Sequence, residues 1–176
     1  YWGDDGSLIS SSITLGMGHP PGHPVYMMLN RIALCFPFGS IAFRFNILSS
    51  IWMAISLFLV CLLIRSSIQR RCLRFGCYIV STVFILSHTF VWHQAVRAET
   101  YSLHLMLLCL TLYVLQGLKT VRRLPLAAFT AALMIGNQIF LAALTGPGLL
   151  VFWVSAWLQS KKKAQVVIVS TLIFAL

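Results

Sequence analysis

Apolar runs long enough to cross a bilayer, separated by short basic clusters, restrict the fold of this chain more than any other feature. A membrane-crossing helix needs about 20 mostly apolar residues. Such runs are read at 46–64, 76–92 and 101–118, and the stretch 124–158 is long enough for two short or tilted crossings. Between them lie Arg65, Arg70, Arg71 and Arg74, then Lys119, Arg122 and Arg123, then Lys161, Lys162 and Lys163. A last apolar run begins near Ala164. The chain is 59% hydrophobic and 9% charged, where a soluble domain is about a quarter charged. Its net charge of +10 would suggest nucleic acid on a soluble surface. Gathered into three loops, it instead follows the enrichment of Lys and Arg on the cytosolic side of membranes, and no nucleic-acid partner is expected.

The expected fold is therefore all-α: a polytopic transmembrane helical bundle. Residues 1–45 are read as an extracytoplasmic first loop, and 46–176 as about six spans with the last cut short. Two basic loops on one face need an even number of crossings between them. That favours two crossings within 124–158, broken at Thr145-Gly146-Pro147-Gly148 or alternatively at Gly136-Asn137-Gln138. The segment from Val25 to Phe36 is too short to span and reads as a helix along the membrane surface, ended by Pro37 and Gly39. The chain opens without Met and stops inside an apolar run, so it reads as a fragment.

The three basic loops hold ten of the thirteen Lys and Arg residues. The three acids, Asp4, Asp5 and Glu99, all fall on the opposite face, and the five histidines lie on or near it. Carboxylates are rare and costly in such a chain, which makes these the first residues to examine for function. The five cysteines are scattered, with no metal or disulfide spacing.

Four constellations stand out. In Gly3-Asp4-Asp5-Gly6, adjacent carboxylates suit either a solvated turn capping a helix that starts near Ser7 or a general base. In His19-Pro20-Pro21-Gly22-His23-Pro24, the prolines forbid a helix that would align the two histidines; the loop is a rigid corner or a site wall, and no metal is expected. From Trp92 to His104, a continuous helix would set His93, Arg97, Tyr101 and His104 on one stripe. There Arg97 suits an anionic phosphate, or forms a structural pair with Glu99. Finally, Gly136-Asn137-Gln138 reads as polar glue between helices.

Taken together, Gly3-Asp4-Asp5-Gly6, Leu15-Gly16-x-x-His19-Pro20-Pro21-Gly22-His23-Pro24, Arg44-Phe45-Asn46-Ile47-Leu48-Ser49-Ser50 and Val96-Arg97-Ala98-Glu99-Thr100-Tyr101 resemble the multi-span protein O-mannosyltransferases, membrane glycosyltransferases of the GT-C class. The blocks occur in the family's order over roughly residues 1–150. Ser7, His23 and Gln138 stand where the family commonly has Glu, Tyr and His.

The resemblance implies an enzyme of the endoplasmic reticulum membrane, or of the inner membrane if bacterial. It implies a polyprenyl-phosphate sugar donor, above all dolichyl-phosphate mannose, and Ser or Thr hydroxyls of a luminal acceptor protein. It places the catalytic base at Asp4, with Asp5 as the second acid. Donor and phosphate binding then fall to His19, His23, Arg97, Glu99, His93 and His104, with the bilayer holding the lipid chain. The competing readings of the same residues are a multi-span transporter and a non-catalytic membrane scaffold.

Overall fold

A computed structural model describes residues 4–16, 18, 20, 22–116 and 123–159. Among these, all regular structure is helical: α1 (Asp5–Thr14), α2 (Pro24–Asn30) running into a 3₁₀ turn (Arg31–Cys35), α3 (Ile41–Ser67), α4 (Arg71–Ser87), α5 (Thr89–Val96), α6 (Thr100–Gln116), α7 (Leu124–Asn137) and α8 (Ile139–Gln159).

α3 is started by Ser40, whose hydroxyl accepts from Phe43 N–H at 3.2 Å, and it carries Arg65 in its last turn, where a cation complements the helix dipole. It is the one described helix that is long and apolar enough to cross a membrane by itself. The run read as 76–92 is instead two helices: α4 ends at Ser87, α5 starts at Thr89, and the pair is bent by 71°. Ser87 donates to the Val83 carbonyl at 2.6 Å, a side-chain bond of the kind that competes with the backbone ladder at a helix end. Arg71 and Arg74 belong to α4 rather than to a loop. Of the remaining apolar helices, Thr100–Gln116 and Pro125–Asn137 are shorter than a full crossing.

The break within 124–158 falls at Gln138, whose backbone is extended (φ −158, ψ 104). The expected break at 145–148 does not form, and Pro147 lies inside α8. A proline there removes one backbone N–H, while Thr145 donates to the Leu141 carbonyl at 2.9 Å and supports the turn before it.

α6 is the centre of the packing, lying between α3 and α7, with α8 against α7 and α2 seated on α7. Its buried face is lined by Leu103, Met106, Leu107, Cys109, Val114 and Leu115. One pair of hydroxyls in this interior is satisfied locally. Thr111 Oγ1 lies 2.8 Å from the Leu107 carbonyl and 2.8 Å from Thr130 Oγ1 on α7, as a hydroxyl with no access to water requires. The stretch read as a surface helix is α2 and the 3₁₀ turn, with one face packed inward and Met28 and Ile32 exposed on the other. Tyr26, Asn30 and Ala33 are fully buried, and Trp52 of α3 donates its indole N–H to Asn30 Oδ1 at 3.0 Å.

Candidate functional site

α1 begins at Asp5, two residues before the expected start, with Asp4 at its N-cap position. Asp4 makes no side-chain capping bond and is exposed. Asp5 occupies the first turn, where a carboxylate is favoured by the helix dipole.

Ninety-two residues later the chain breaks between α5 and α6. Arg97 is extended (φ −121, ψ 150), and Glu99 N–H donates to the Arg97 carbonyl at 2.8 Å, a tight turn around Ala98. Ala98 is fully buried in a cluster with Ala33, Phe45 and Leu48. The carbonyls that end α5 are taken by hydroxyls from both neighbours. Ser50 of α3 donates to Ala95 at 2.8 Å and Ser102 of α6 donates to Gln94 at 2.5 Å, which satisfies acceptors a helix end leaves open. The Arg44–Ser50 block, seen in the sequence only as a signature, thus supplies Phe45, Leu48 and Ser50 to hold this break in place.

The two acid-bearing segments meet. Arg97 Nε–H donates to Asp5 Oδ2 at 2.9 Å, with the two side chains 34% and 21% exposed, so the pair lies at the edge of solvent. Arg97 is thus paired with Asp5, not with Glu99. The Asp5 carboxylate raises the affinity of Arg97 for its proton. Glu99 turns its carboxyl toward Asp5, and its pKa is pushed up to about 7, first by burial and then by the hydrogen bond and charge of Asp5. Asp4 adds to that rise, and Arg97 opposes it. Beneath them, Tyr26 of α2 feels both Glu99 and Asp5, and burial raises its phenol pKa. The Tyr26 and Ser49 hydroxyls face each other in a contact short of a well-formed hydrogen bond.

A second polar ring braces the same end of the molecule. His23 Nδ1 lies 2.7 Å from the Asn137 carbonyl, Asn137 Nδ2 donates to the Thr100 carbonyl at 3.1 Å, and Thr100 Oγ1 donates to Gln138 Oε1 at 2.8 Å. Two glycines make this approach possible. Gly22 adopts φ +82, a conformation that side-chain-bearing residues avoid. A Cβ on Gly136 would meet Val25 Cγ2 at 2.7 Å.

The stripe expected for His93, Arg97, Tyr101 and His104 does not exist, because the helix is interrupted at 97–99. His93 is exposed on α5. His104 is 3% exposed inside the bundle, and its ring nitrogens have no partner among the described residues. His23 braces α7 rather than reaching the carboxylates, and His19 lies outside the described residues. No group of three His, Cys, Asp or Glu residues suited to a metal ion occurs among the described residues. Ser49 and Thr100 were quoted from the sequence only as members of signature blocks, and Tyr26 was not singled out; an ionisable Tyr in a short apolar helix beside a proline loop was the signal available for it.

The chain matches the family described as the Protein O-mannosyl-transferase TMEM260 N-terminal domain over residues 4–164. It is 31% identical over 144 residues to the Protein O-mannosyl-transferase TMEM260 of Mus musculus, an alignment covering 77% of this chain and 20% of the mouse protein. The chain thus spans about a fifth of the length of that relative. No solved structure matches it.

Proposed function

Because this chain belongs to the family of the TMEM260 protein O-mannosyl-transferase N-terminal domain, we propose that it forms the membrane-embedded catalytic part of a glycosyltransferase. It moves a sugar, mannose, from a polyprenyl-phosphate carrier such as dolichyl-phosphate mannose to Ser or Thr hydroxyls of luminal proteins. The observation that carries the reading is the meeting of Asp5 and Arg97 across 92 residues, with Asp4 exposed beside them. This sets a solvent-facing carboxylate close to a partly exposed guanidinium, the two charges that phosphate-leaving sugar transfer needs.

In this mechanism Asp4 takes the proton of the acceptor hydroxyl. The acceptor oxygen bonds to the sugar C1 from the face opposite the phosphate. The C1–O bond to the phosphate breaks, inverting C1, and the polyprenyl phosphate leaves with the electron pair. Arg97 stabilises the charge that develops on the phosphate. A guanidinium carries five N–H donors, and Asp5 holds this one by Nε–H, so its plane is set before the donor arrives. His93, on α5 one turn before Arg97, assists at the phosphate, while His104 is enclosed and contributes to the interior. The exposed apolar faces of α3 and α4, including Phe58, Phe75, Val80 and Phe84, sit in the bilayer of the endoplasmic reticulum as part of a multi-span, GT-C-type bundle and cradle the prenyl chain.

The test is transfer of labelled mannose from dolichyl-phosphate mannose in microsomes expressing the full-length protein. Asp4→Asn is expected to lower transfer by about 10²- to 10⁴-fold, the range for removing a general base, with unchanged expression. Near-normal transfer by that variant overturns the base assignment. Absence of transfer by the wild type overturns the enzymatic reading in favour of a transporter or scaffold.

A further inference from the structure

The Asp5 carboxylate has two oxygens in different circumstances. Oδ2 accepts from Arg97 Nε–H at 2.9 Å. Oδ1 is shut away from solvent, and no N–H or O–H of the described residues donates to it. A buried carboxylate oxygen without a donor costs free energy comparable to a lost charged hydrogen bond. The Glu99 carboxyl lies within hydrogen-bonding reach of the Asp5 carboxylate, and as a carboxylate it offers no donor at all. Two carboxylates in contact do not both ionise without a large penalty. The proton belongs on Glu99, since Asp5 has the guanidinium on its other oxygen and burial disfavours the charged form of Glu99.

We infer that Glu99 is a positioning residue held as a neutral carboxylic acid, whose O–H donates to Asp5 Oδ1 while Arg97 holds Oδ2. Asp5 is then gripped on both oxygens. It is a bracket between α1 and the α5–α6 break and takes no proton from the acceptor, which leaves the exposed Asp4 as the base. When Glu99 ionises, its charge faces Asp4 and Asp5 at the start of α1, with Arg97 of its own connection to offset it among the described residues, and Tyr26 on α2 stays neutral. The grip on Asp5 fails, and Arg97 is drawn between two carboxylates instead of one. The role of Asp5 and Glu99 in setting Arg97 rests on the transferase reading; the protonation of Glu99 does not.

The experiment uses the full-length protein. Mannose transfer is followed to about two pH units on either side of the Glu99 value of about 7 in wild type, Glu99→Gln and Glu99→Ala. Gln keeps an N–H donor for Asp5 Oδ1 but does not titrate. Wild-type transfer is expected to fall about ten-fold as pH rises through that value. Glu99→Gln is expected to stay within about three-fold of the acid-side rate and lose the fall, and Glu99→Ala to be about ten-fold slow throughout, as removal of one charge-assisted bond predicts. Infrared difference spectra of the purified protein supply a readout independent of activity: a protonated-carboxyl C=O band that disappears as pH rises through the same range and is absent from Glu99→Gln. A fall in rate that persists in Glu99→Gln, or a wild type without that band, overturns the inference. If the wild type transfers no sugar yet shows the band, the transferase reading fails and the protonated Glu99 stands.

Discussion

α4 and α6 are each seventeen residues long and dominated by apolar side chains, yet they live in different surroundings. α6 buries ten residues, including Ser102, His104 and Thr111, while α4 buries none. α4 leaves Leu73, Phe75, Ile79, Val83, Phe84 and Leu86 exposed. The difference teaches that apolar content says a segment avoids water and says nothing about what it touches. Where the polar side chains find partners discriminates better. α6 carries Thr and Ser hydroxyls that find partners on α7 and α5, and a helix able to satisfy such groups is one that others have closed around.

The largest expected effect tests that contrast directly. Leu103→Ala, at a fully buried position of α6, is expected to cost about 2–5 kcal/mol, whereas Phe84→Ala, 60% exposed on α4, stays within about 0.5 kcal/mol. Thermal melts of the full-length protein in one detergent check this; equal losses would erase the distinction between the helices. A smaller effect lies at the foot of α6. Thr100→Val removes the donor to Gln138 Oε1 and is expected to cost about 0.5–1.5 kcal/mol. In a double-mutant cycle with Gln138→Leu the two losses are expected to be less than additive, and strict additivity would show that the bond holds nothing together.

A separate effect is on the pH dependence of stability. The native state raises the Glu99 pKa from the ordinary 4.5 to about 7, so between those values it keeps a proton the unfolded chain has released. The contribution is fully present below the lower value, is lost as pH rises to the upper one, and is flat beyond it. The melting temperature of wild type relative to Glu99→Gln is therefore expected to decline across that window. A relative rise would contradict the direction of the shift.

Much of the site was legible in part. Asp4, Asp5, Arg97 and Glu99 were picked out because charges in an apolar chain are few. Their pairing was not legible, because Arg97 and Glu99 are close in sequence and Asp5 is remote. Sequence proximity favours the Arg97–Glu99 partnership, while the break at Ala98 points Arg97 toward α1. The histidine stripe failed for the same reason, since a helical period holds only while the helix continues. The sequence offered a break at 145–148, with 136–138 as the alternative. Gln138 was extended because partners from α6 and the His23 loop bind there, and Pro147 stayed helical.

Composition and the order of apolar and basic segments by themselves determined that this chain is helical and apolar and that its acids fall at one end, because those properties depend on local propensity and on transfer from water. Tertiary structure alone decided which acid holds Arg97, which helix is enclosed, and where the broken helices bend. Those outcomes depend on donors and acceptors brought together from segments tens of residues apart, and no local rule contains them.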